Sequence, residues 1–238
     1  MGQEKRLILE NVNFKYSSRN TFFRRAHHQV LYDVSFSLYA GETLGVIGGN
    51  GSGKSSLLKV LSGIYQCDSG EIIRNYKKAS LLALGIGFDI ELTGRENILL
   101  SGILLGARRS EVESKLGEII EFSELDEAMD EPLKTYSSGM RARLGFSIAI
   151  SLESDLMLID EVLSVGDNAF RLKAMAAMKE RVLSHQSAVF VSHSLRQVEQ
   201  LCDRTVWLEG GRVRAVDTTS SVISAYRAQQ KELASTKS

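Results

Sequence analysis

The alternation of apolar and polar positions divides the chain into strands and helices that follow one another in an α/β order. Residues 7–14 and 30–38 alternate apolar and polar side chains, which is typical of half-buried strands. Residues 42–47, 156–159 and 188–191 are short apolar runs, which indicate buried parallel strands. Segments with helical spacing separate these runs, so the pattern predicts an α/β core with an antiparallel β subdomain.

Between about residues 91 and 154 the pattern becomes mostly helical, since 108–122 and 141–152 carry apolar residues at spacings of three and four. We therefore expect an α-helical subdomain inserted in the core. Residues 206–208 and 213–216 flank a glycine turn and predict a hairpin. A helix and tail are predicted over about 219–238, within a single domain that spans 1–238.

Composition narrows the possible functions. The 238 residues carry equal numbers of acidic and basic side chains, so no global basic field favours nucleic acid as a partner. Cys67 and Cys202 lie far apart and have no metal-ligand spacing. The N-terminus has no secretory pattern, and no window approaches the roughly 20 apolar residues of a membrane span. We expect a soluble protein that meets a membrane only through a partner.

One segment has a local charge bias, because no acidic residue occurs between Glu10 and Asp33. Two interpretations stay open: a solvated loop, or a loop that faces anionic headgroups or an acidic patch on a partner. The positively charged or titratable residues of the segment are Lys15, Arg19, Arg24, Arg25, His27 and His28.

Residues 48–55 read GGNGSGKS and fit the phosphate-loop pattern after a predicted strand and before a helix. Glycines let backbone N–H groups converge on phosphates, and the helix N-terminus adds positive charge. Lys54 is expected at the β- and γ-phosphates, and the Ser55 hydroxyl on Mg²⁺. The pattern predicts a P-loop NTPase (RecA-like) core. Its ATP-binding residues are Gly48, Gly49, Asn50, Gly51, Ser52, Gly53, Lys54, Ser55 and Ser56.

Three further residues follow the ends of predicted strands. Asp160 is expected to hold Mg²⁺ through water, and Glu161 to act as general base on the attacking water. His193 follows the strand at 188–191, where an imidazole can hydrogen-bond the γ-phosphate and orient that water. Alone, the two carboxylates are also compatible with a solvated strand end, and His193 with a structural or exposed histidine; the phosphate loop favours the catalytic assignment.

Residues 136–140, YSSGM, resemble the ABC ATPase signature LSGGQ. Ser137 and Gly139 match it, whereas Ser138 and Met140 depart from it. In that family this segment begins a helix that faces the γ-phosphate bound by the other subunit. The resemblance therefore implies a head-to-tail homodimer that binds and hydrolyses ATP.

Other matches extend over most of the chain. Residues 164–167 resemble the family's dimer-contacting loop, with Asp167 at its aspartate position. Tyr16 lies where the family stacks an aromatic ring on adenine, although a core tyrosine is an alternative and Phe14 a fallback. No glutamine occupies the family's glutamine-loop position, which falls near Ala83 or Leu84.

The segments ALGIGFDIELTGREN, YSSGMRARLGFSIAI and IDEVLSVGD together are similar to the ATPases that export bacterial surface polysaccharides such as O-antigen, capsule or teichoic acid. The resemblance implies a polytopic permease that docks around residues 88–96, and peripheral association with the cytoplasmic face of the inner membrane. The resemblance implies the short form of the family, which has no carbohydrate-binding domain after the ATPase.

Three alternatives stay open. One is an ABC transporter with another cargo, such as a lipid or drug. A second is a soluble ABC ATPase of DNA repair or translation, although the chain has one phosphate loop and no long heptad run. A third is a regulator that binds ATP without turnover, which the presence of Lys54, Asp160, Glu161 and His193 disfavours.

Overall fold

The computed structural model describes residues 4–20, 24–82, 87–160, 166–184 and 186–235. Within these residues it contains nine strands and seven α-helices. The strands are β1 (Lys5–Asn20), β2 (Arg24–Tyr39), β3 (Thr43–Ile47), β4 (Ser69–Arg74), β5 (Ala79–Leu82), β6 (Leu156–Asp160), β7 (Ser187–Val191), β8 (Arg204–Glu209) and β9 (Arg212–Thr218). The helices are α1 (Lys54–Leu61), α2 (Gly94–Leu104), α3 (Arg109–Ser123), α4 (Ser138–Ser151), α5 (Asn168–Leu183), α6 (Leu195–Leu201) and α7 (Thr219–Ser235).

The chain divides into two compact units, Met1–Lys77 with His185–Ser238, and Lys78–Ser184. In the first unit β3 pairs in parallel with β7 on one side and β8 on the other, and β8 pairs antiparallel with β9. All five residues of β3 and of β7 are buried, because helices and sheet residues cover a central parallel strand on both faces. A separate antiparallel sheet has the order β2-β1-β4.

The second unit contains the parallel pair β5 and β6 and the helices α2 to α5. Its helical core is formed by apolar side chains from α2, α3 and α4 and the segment before α4, among them Ile98, Ile119, Leu133 and Leu144. Helices α2 to α4 fall within the segment predicted to be helical. This α/β architecture with an antiparallel sheet and added helices confirms the predicted fold class.

Two parts of the sequence prediction differ from the structure. Strands β1 and β2 continue beyond the alternating segments, so the basic stretch is largely a paired ribbon rather than a loop. Main-chain pairing, which joins β1 and β2 as far as Asn20 and Arg24, needs no apolar alternation. Strands β4 and β5 were not predicted, because β4 has no buried residue and β5 has only four residues.

Candidate functional site

The loop after β3 is shaped by its backbone. Gly48, Gly51 and Gly53 have φ angles of 156°, 75° and 100°. A Cβ at Gly48 would lie 2.1 Å from the carbonyl oxygen of Leu208, the penultimate residue of β8. A side chain at Gly48 would therefore push the loop away from the sheet, which explains why glycine is needed here.

Lys54 is held inside this loop. Its side chain is 6% exposed, and its ammonium group donates hydrogen bonds of 2.9 Å to the carbonyl oxygens of both Gly48 and Gly49. Helix α1 begins after Gly53, which offers no side-chain cap to the first-turn amides. The buried hydroxyl of Ser52 has no hydrogen-bond partner among the described residues. A cation, a helix N-terminus and an unsatisfied hydroxyl within one loop are suited to bind an anion.

An aromatic cluster lies beside α1. The rings of Phe14, Tyr16 and Tyr65 have centroids 4.9 to 5.6 Å apart, and the hydroxyls of Tyr16 and Ser56 are 3.1 Å apart. Phe14 is buried and Tyr16 is partly exposed, so Tyr16 is the more accessible of the two candidates for adenine stacking. Its role in stacking stays a prediction.

His193 lies at the same edge of the sheet as the phosphate loop. Strands β3 and β7 are parallel neighbours, and the loop follows the first while His193 lies two residues beyond the second. The imidazole is exposed, whereas Ser192 beside it is buried and donates to Gln197 Oε1 at 3.1 Å. The first unit therefore brings together the phosphate loop and the predicted water-orienting histidine.

The carboxylate candidates belong to the second unit. Asp160 is the last residue of β6 and is half-buried. Glu161 lies outside the described residues, as do Ala83 and Leu84 near the expected glutamine position. The catalytic role of Glu161 therefore stays a prediction from sequence.

The segment that resembles the signature forms the start of α4. Ser137 is its N-cap, and the Ser137 hydroxyl accepts a hydrogen bond of 3.1 Å from the backbone N–H of Met140. Ser137 and Ser138 are exposed, whereas the side chain of Met140 packs against the helical core and Gly139 is partly exposed. This capped helix end offers a hydroxyl and first-turn amides to an anion outside the unit.

A buried asparagine supports the segment before α2. The side chain of Asn97 is 0% exposed, and its Nδ2 donates to the carbonyl oxygens of Asp89, Leu92 and Thr93. Its Oδ1 accepts from the backbone N–H of Asp89 at 2.8 Å. All four bonds hold one turn, so Asn97 fixes the predicted permease-docking segment.

That segment also pairs with the chain that leads to Ser137. Backbone N–H groups of Leu133 and Lys134 donate to carbonyl oxygens of Leu92 and Ile90, both at 2.9 Å. Tyr136 is buried and its hydroxyl donates to the carbonyl oxygen of Ala128. Burial is the main cause that raises the pKa of Tyr136, so the neutral hydroxyl remains the donor at neutral pH.

Asp167 caps α5 through a 2.9 Å bond from the backbone N–H of Phe170, and this bond is the main reason that its pKa is lowered. The guanidinium of Arg143, in α4, lies 4.0 Å from the Asp167 carboxylate. Sequence reasoning missed Arg143, Asn97 and Tyr136, because no local pattern shows that these side chains bond to main-chain groups.

Comparison with known proteins identifies the family. A family profile described as ABC transporter matches residues 31–164, which is more than half of the chain. This chain belongs to the ABC transporter family. The match contains the phosphate loop, the signature-like segment and Asp160, so the chain carries the ATPase domain of that family and binds ATP.

Two curated relatives are similar over most of this ABC chain. The teichoic acids export ATP-binding protein TagH of Enterococcus faecalis is 49% identical over 83% of the chain and 44% of its own length. The O-antigen export system ATP-binding protein RfbB of Klebsiella pneumoniae is 45% identical over 82% of the chain and 79% of its own length. The chain thus spans less than half the length of the Enterococcus relative.

Solved structures show the same fold at lower identity. An ATP-binding subunit of an ABC transporter has a TM-score of 0.77 and 24% identity, and the match covers 92% of each chain. A dimeric ATP-binding cassette, in a post-hydrolysis state bound to ADP and Pi, has a TM-score of 0.73 and 20% identity over 90% of this chain and 98% of its own. Among the described helices, none is long and apolar enough to cross a bilayer.

Proposed function

We propose that this chain binds ATP with Mg²⁺, hydrolyses it as a head-to-tail homodimer, and powers export of a lipid-linked surface polysaccharide through a separate permease. The observation that carries the nucleotide part is the phosphate loop, in which glycine backbone and the buried Lys54 form an anion site. The polysaccharide part rests on the relatives, whose names describe teichoic acid and O-antigen export.

The residues present fit a magnesium nucleotide. Ser55 exposes its hydroxyl at the start of α1, and a hydroxyl oxygen is a ligand that Mg²⁺ prefers. The unsatisfied Ser52 hydroxyl and the first-turn amides of α1 are donors for phosphate oxygens. Asp160 is assigned to the magnesium hydration shell by its place at the end of β6. Bound Mg²⁺ would neutralise charge that develops on the phosphates during hydrolysis.

Hydrolysis needs a water molecule that loses a proton as its oxygen forms a bond to the γ-phosphorus and the bond to ADP breaks. Glu161 is proposed to accept that proton as general base. His193, exposed beyond β7, is proposed to donate a hydrogen bond to the γ-phosphate and orient the water. Lys54 balances charge at the β- and γ-phosphates.

The dimer is proposed because the sequence has one phosphate loop, and the signature-like segment resembles one that faces the nucleotide of the other subunit in this family. Ser137 and the amides of Ser138 and Gly139 would bind the γ-phosphate held by the partner protomer, and Met140 would hold the Ser137 hydroxyl in place through its N–H. Asp167 would contact the partner across the same interface. Two identical sites formed in this way give a closed twofold assembly.

A permease partner is proposed from the relatives and from the second unit's surface. Ile90, Ile103 and Leu104 are each about half exposed there, and Ile90 lies in the turn that Asn97 fixes. Exposed apolar side chains of this size favour a protein partner. The chain would then associate peripherally with the cytoplasmic face of the inner membrane, and nucleotide-driven closure of the dimer would move the permease.

Complementation between two inactive variants tests the shared site. Lys54→Ala removes the phosphate-binding ammonium, and Ser137→Arg blocks the helix end that faces the partner. In a head-to-tail mixed dimer both defects fall in one site and the other site is intact. Mixing the two should therefore restore about a quarter of wild-type ATP turnover, since half of the dimers are mixed and each has one working site.

If mixing the two variants restored no ATP turnover, the proposal would be contradicted. A site that is complete within one protomer would be damaged in both variants, so mixing could not repair it. A second test uses Glu161→Gln. This variant should bind ATP, lose ATP turnover and accumulate as a dimer, which size-exclusion chromatography detects. Unchanged turnover of this variant would exclude Glu161 as the base. Purification with a permease from the native host, followed by analysis of the co-purifying glycan, distinguishes polysaccharide from a lipid or drug cargo.

A further inference from the structure

Arg143 connects three segments of the second unit. It lies six residues after Ser137 on α4, and its side chain is 16% exposed. Its Nε donates to the carbonyl oxygen of Ser123 at 2.9 Å, and its Nη2 donates to the Glu124 carboxylate at 2.9 Å. The guanidinium also stacks on the ring of Phe170 in α5, with its carbon 4.9 Å from the ring centroid.

The same side chain packs against the turn that ends in Asp167. Gly166 has a φ of 64°, and a Cβ there would lie 3.0 Å from Cγ and 3.2 Å from Cδ of Arg143. The Asp167 carboxylate lies 4.0 Å from Nη1 of Arg143. Gly166 therefore packs against the methylene groups of Arg143, and Asp167 lies beside its guanidinium, so both contact a residue of the signature helix α4.

Glu124 holds Arg143 in place from the other side. It ends α3 with a φ of 54°, and its carboxylate accepts hydrogen bonds of 2.9 Å from both Arg143 and Lys173. Lys173 lies on α5 and also donates to the carbonyl oxygen of Phe122 at 3.0 Å. The hydrogen bond from Lys173 is the main cause that lowers the pKa of Glu124, so its carboxylate is ionised at neutral pH. The two cations thus join α4 and α5 through one acidic residue.

We propose that Arg143 is a positioning residue that ties Gly166 and Asp167 to the signature helix, so that Ser137 and Asp167 meet the partner protomer in one fixed arrangement. The inference rests on the proposed function, because Ser137 and Asp167 act in it on the partner protomer across the dimer interface. Arg143 itself touches neither nucleotide.

The inference predicts a specific kinetic change for Arg143→Met, which keeps a stem of similar length and removes every donor. ATP affinity of the isolated protomer, measured by calorimetry, should stay within about twofold because the phosphate loop lies in the other unit. The kcat should fall by about tenfold or more with little change in KM, and the Hill coefficient for ATP should fall towards one. Arg143→Lys should restore only part of the kcat, because an ammonium lacks the planar guanidinium that donates from Nε and Nη2 and stacks on Phe170.

Gly166→Ala perturbs the same contact from the opposite side and serves if Arg143→Met does not fold. It should lower kcat in the same way. The loss of kcat in the double variant should be clearly smaller than the two single losses combined, since both substitutions break one contact. Arg181→Met is the matched control: Arg181 donates three hydrogen bonds to the carbonyl oxygens of Ile150 and Leu152 but does not contact the Gly166 turn in any interaction described for it. It should lower the denaturation midpoint and leave kcat per folded dimer unchanged.

A kcat within about twofold of wild type in folded Arg143→Met, or the same kinetic loss in Arg181→Met, would overturn the positioning role and leave the proposed function standing. Fully additive losses in the Arg143 and Gly166 variants would overturn it as well. If the wild-type chain itself had no ATP turnover, both the proposed function and the positioning role of Arg143 would be overturned. The same assay measures this.

Discussion

The phosphate loop of the first unit and the signature-like helix end of the second are both anion sites, but they are constructed differently. The phosphate loop is formed by backbone: three glycines with positive φ and two carbonyl oxygens that hold Lys54. The helix end is held by contacts with other segments of the chain. Leu133, just before it, donates to the carbonyl oxygen of Leu92. Arg143, within the helix, donates to the carbonyl oxygen of Ser123. One site is thus local in sequence and the other is assembled by tertiary contacts.

This difference explains which positions depart from the family pattern. The phosphate loop matches its pattern completely, because a side chain at Gly48 would strike the backbone of β8. The signature-like segment departs at Ser138, where the site needs only the backbone N–H that any residue supplies, and at Met140. Met140 uses its N–H for the Ser137 cap and its side chain for packing.

The largest expected effect is on the backbone-built site. Gly48→Ala should lower ATP affinity by about a hundredfold or more, because the loop must move away from Leu208 and the acceptor of Lys54 moves with it. Calorimetric titration with Mg·ATP measures this loss. Gly117→Ala is the control in the second unit, where the exposed position in α3 has open space; it should bind ATP normally and gain about 0.5–1 kcal/mol of stability. Wild-type affinity of Gly48→Ala would contradict the description of the loop.

In the second unit the largest effect should appear in stability rather than in affinity. Asn97→Ala should cost about 2–4 kcal/mol of unfolding free energy, because it removes four side-chain hydrogen bonds to the turn and empties a fully buried position. ATP affinity should be unchanged. Urea denaturation and calorimetry on the same preparation separate the two quantities.

Asp130→Asn is the control for Asn97, since it removes an ion pair with Arg95 whose two side chains are 80% and 46% exposed. It should change stability by no more than about 0.5 kcal/mol. If Asn97→Ala were as mild as this control, the turn before α2 would not depend on its buried amide, and the contrast between the units would weaken.

The same contrast shows what sequence could predict. Strands β3, β6 and β7 and the phosphate loop were predictable because burial on both faces and glycine spacing are local signals. The roles of Asn97 and Arg143 were not, because an asparagine in α2 and an arginine in α4 look like ordinary surface residues until their partners are known. The prediction ended the first strand at residue 14 and began the second at residue 30, whereas β1 and β2 pair as far as Asn20 and Arg24, where no apolar pattern marks the pairing.

A smaller loss is expected at the residue before Ser137. Tyr136→Phe keeps the buried ring and removes the hydroxyl that donates to Ala128, so it should cost about 1 kcal/mol. Because Tyr136 adjoins the cap of α4, turnover should fall with it while ATP affinity is kept. Denaturation and steady-state kinetics test the two parts separately, and an unchanged unfolding free energy would show that the hydroxyl bond contributes nothing to stability.

The smallest effect concerns the pH dependence of the cap of α2. Glu96 accepts hydrogen bonds of 2.8 Å from the backbone N–H and the hydroxyl of Thr93, and the backbone bond is the main cause that lowers the pKa of this carboxyl. Because the pKa is lower in the folded than in the unfolded chain, the stability that Glu96 supplies is complete above its unfolded pKa. It is lost as the pH falls through the folded value.

Glu96→Gln keeps a hydrogen-bond acceptor and removes the charge, so it isolates this contribution from the other carboxylates that titrate in the same range. The difference in urea midpoint between wild type and Glu96→Gln should favour wild type at about pH 7 and shrink towards zero as the pH falls through the folded pKa of Glu96. Since the cap lies in the second unit, nucleotide affinity of the two chains should agree at neutral pH. A midpoint difference that grew on acidification would mean that the folded chain raises the pKa of Glu96, contrary to the bonding that the structure shows.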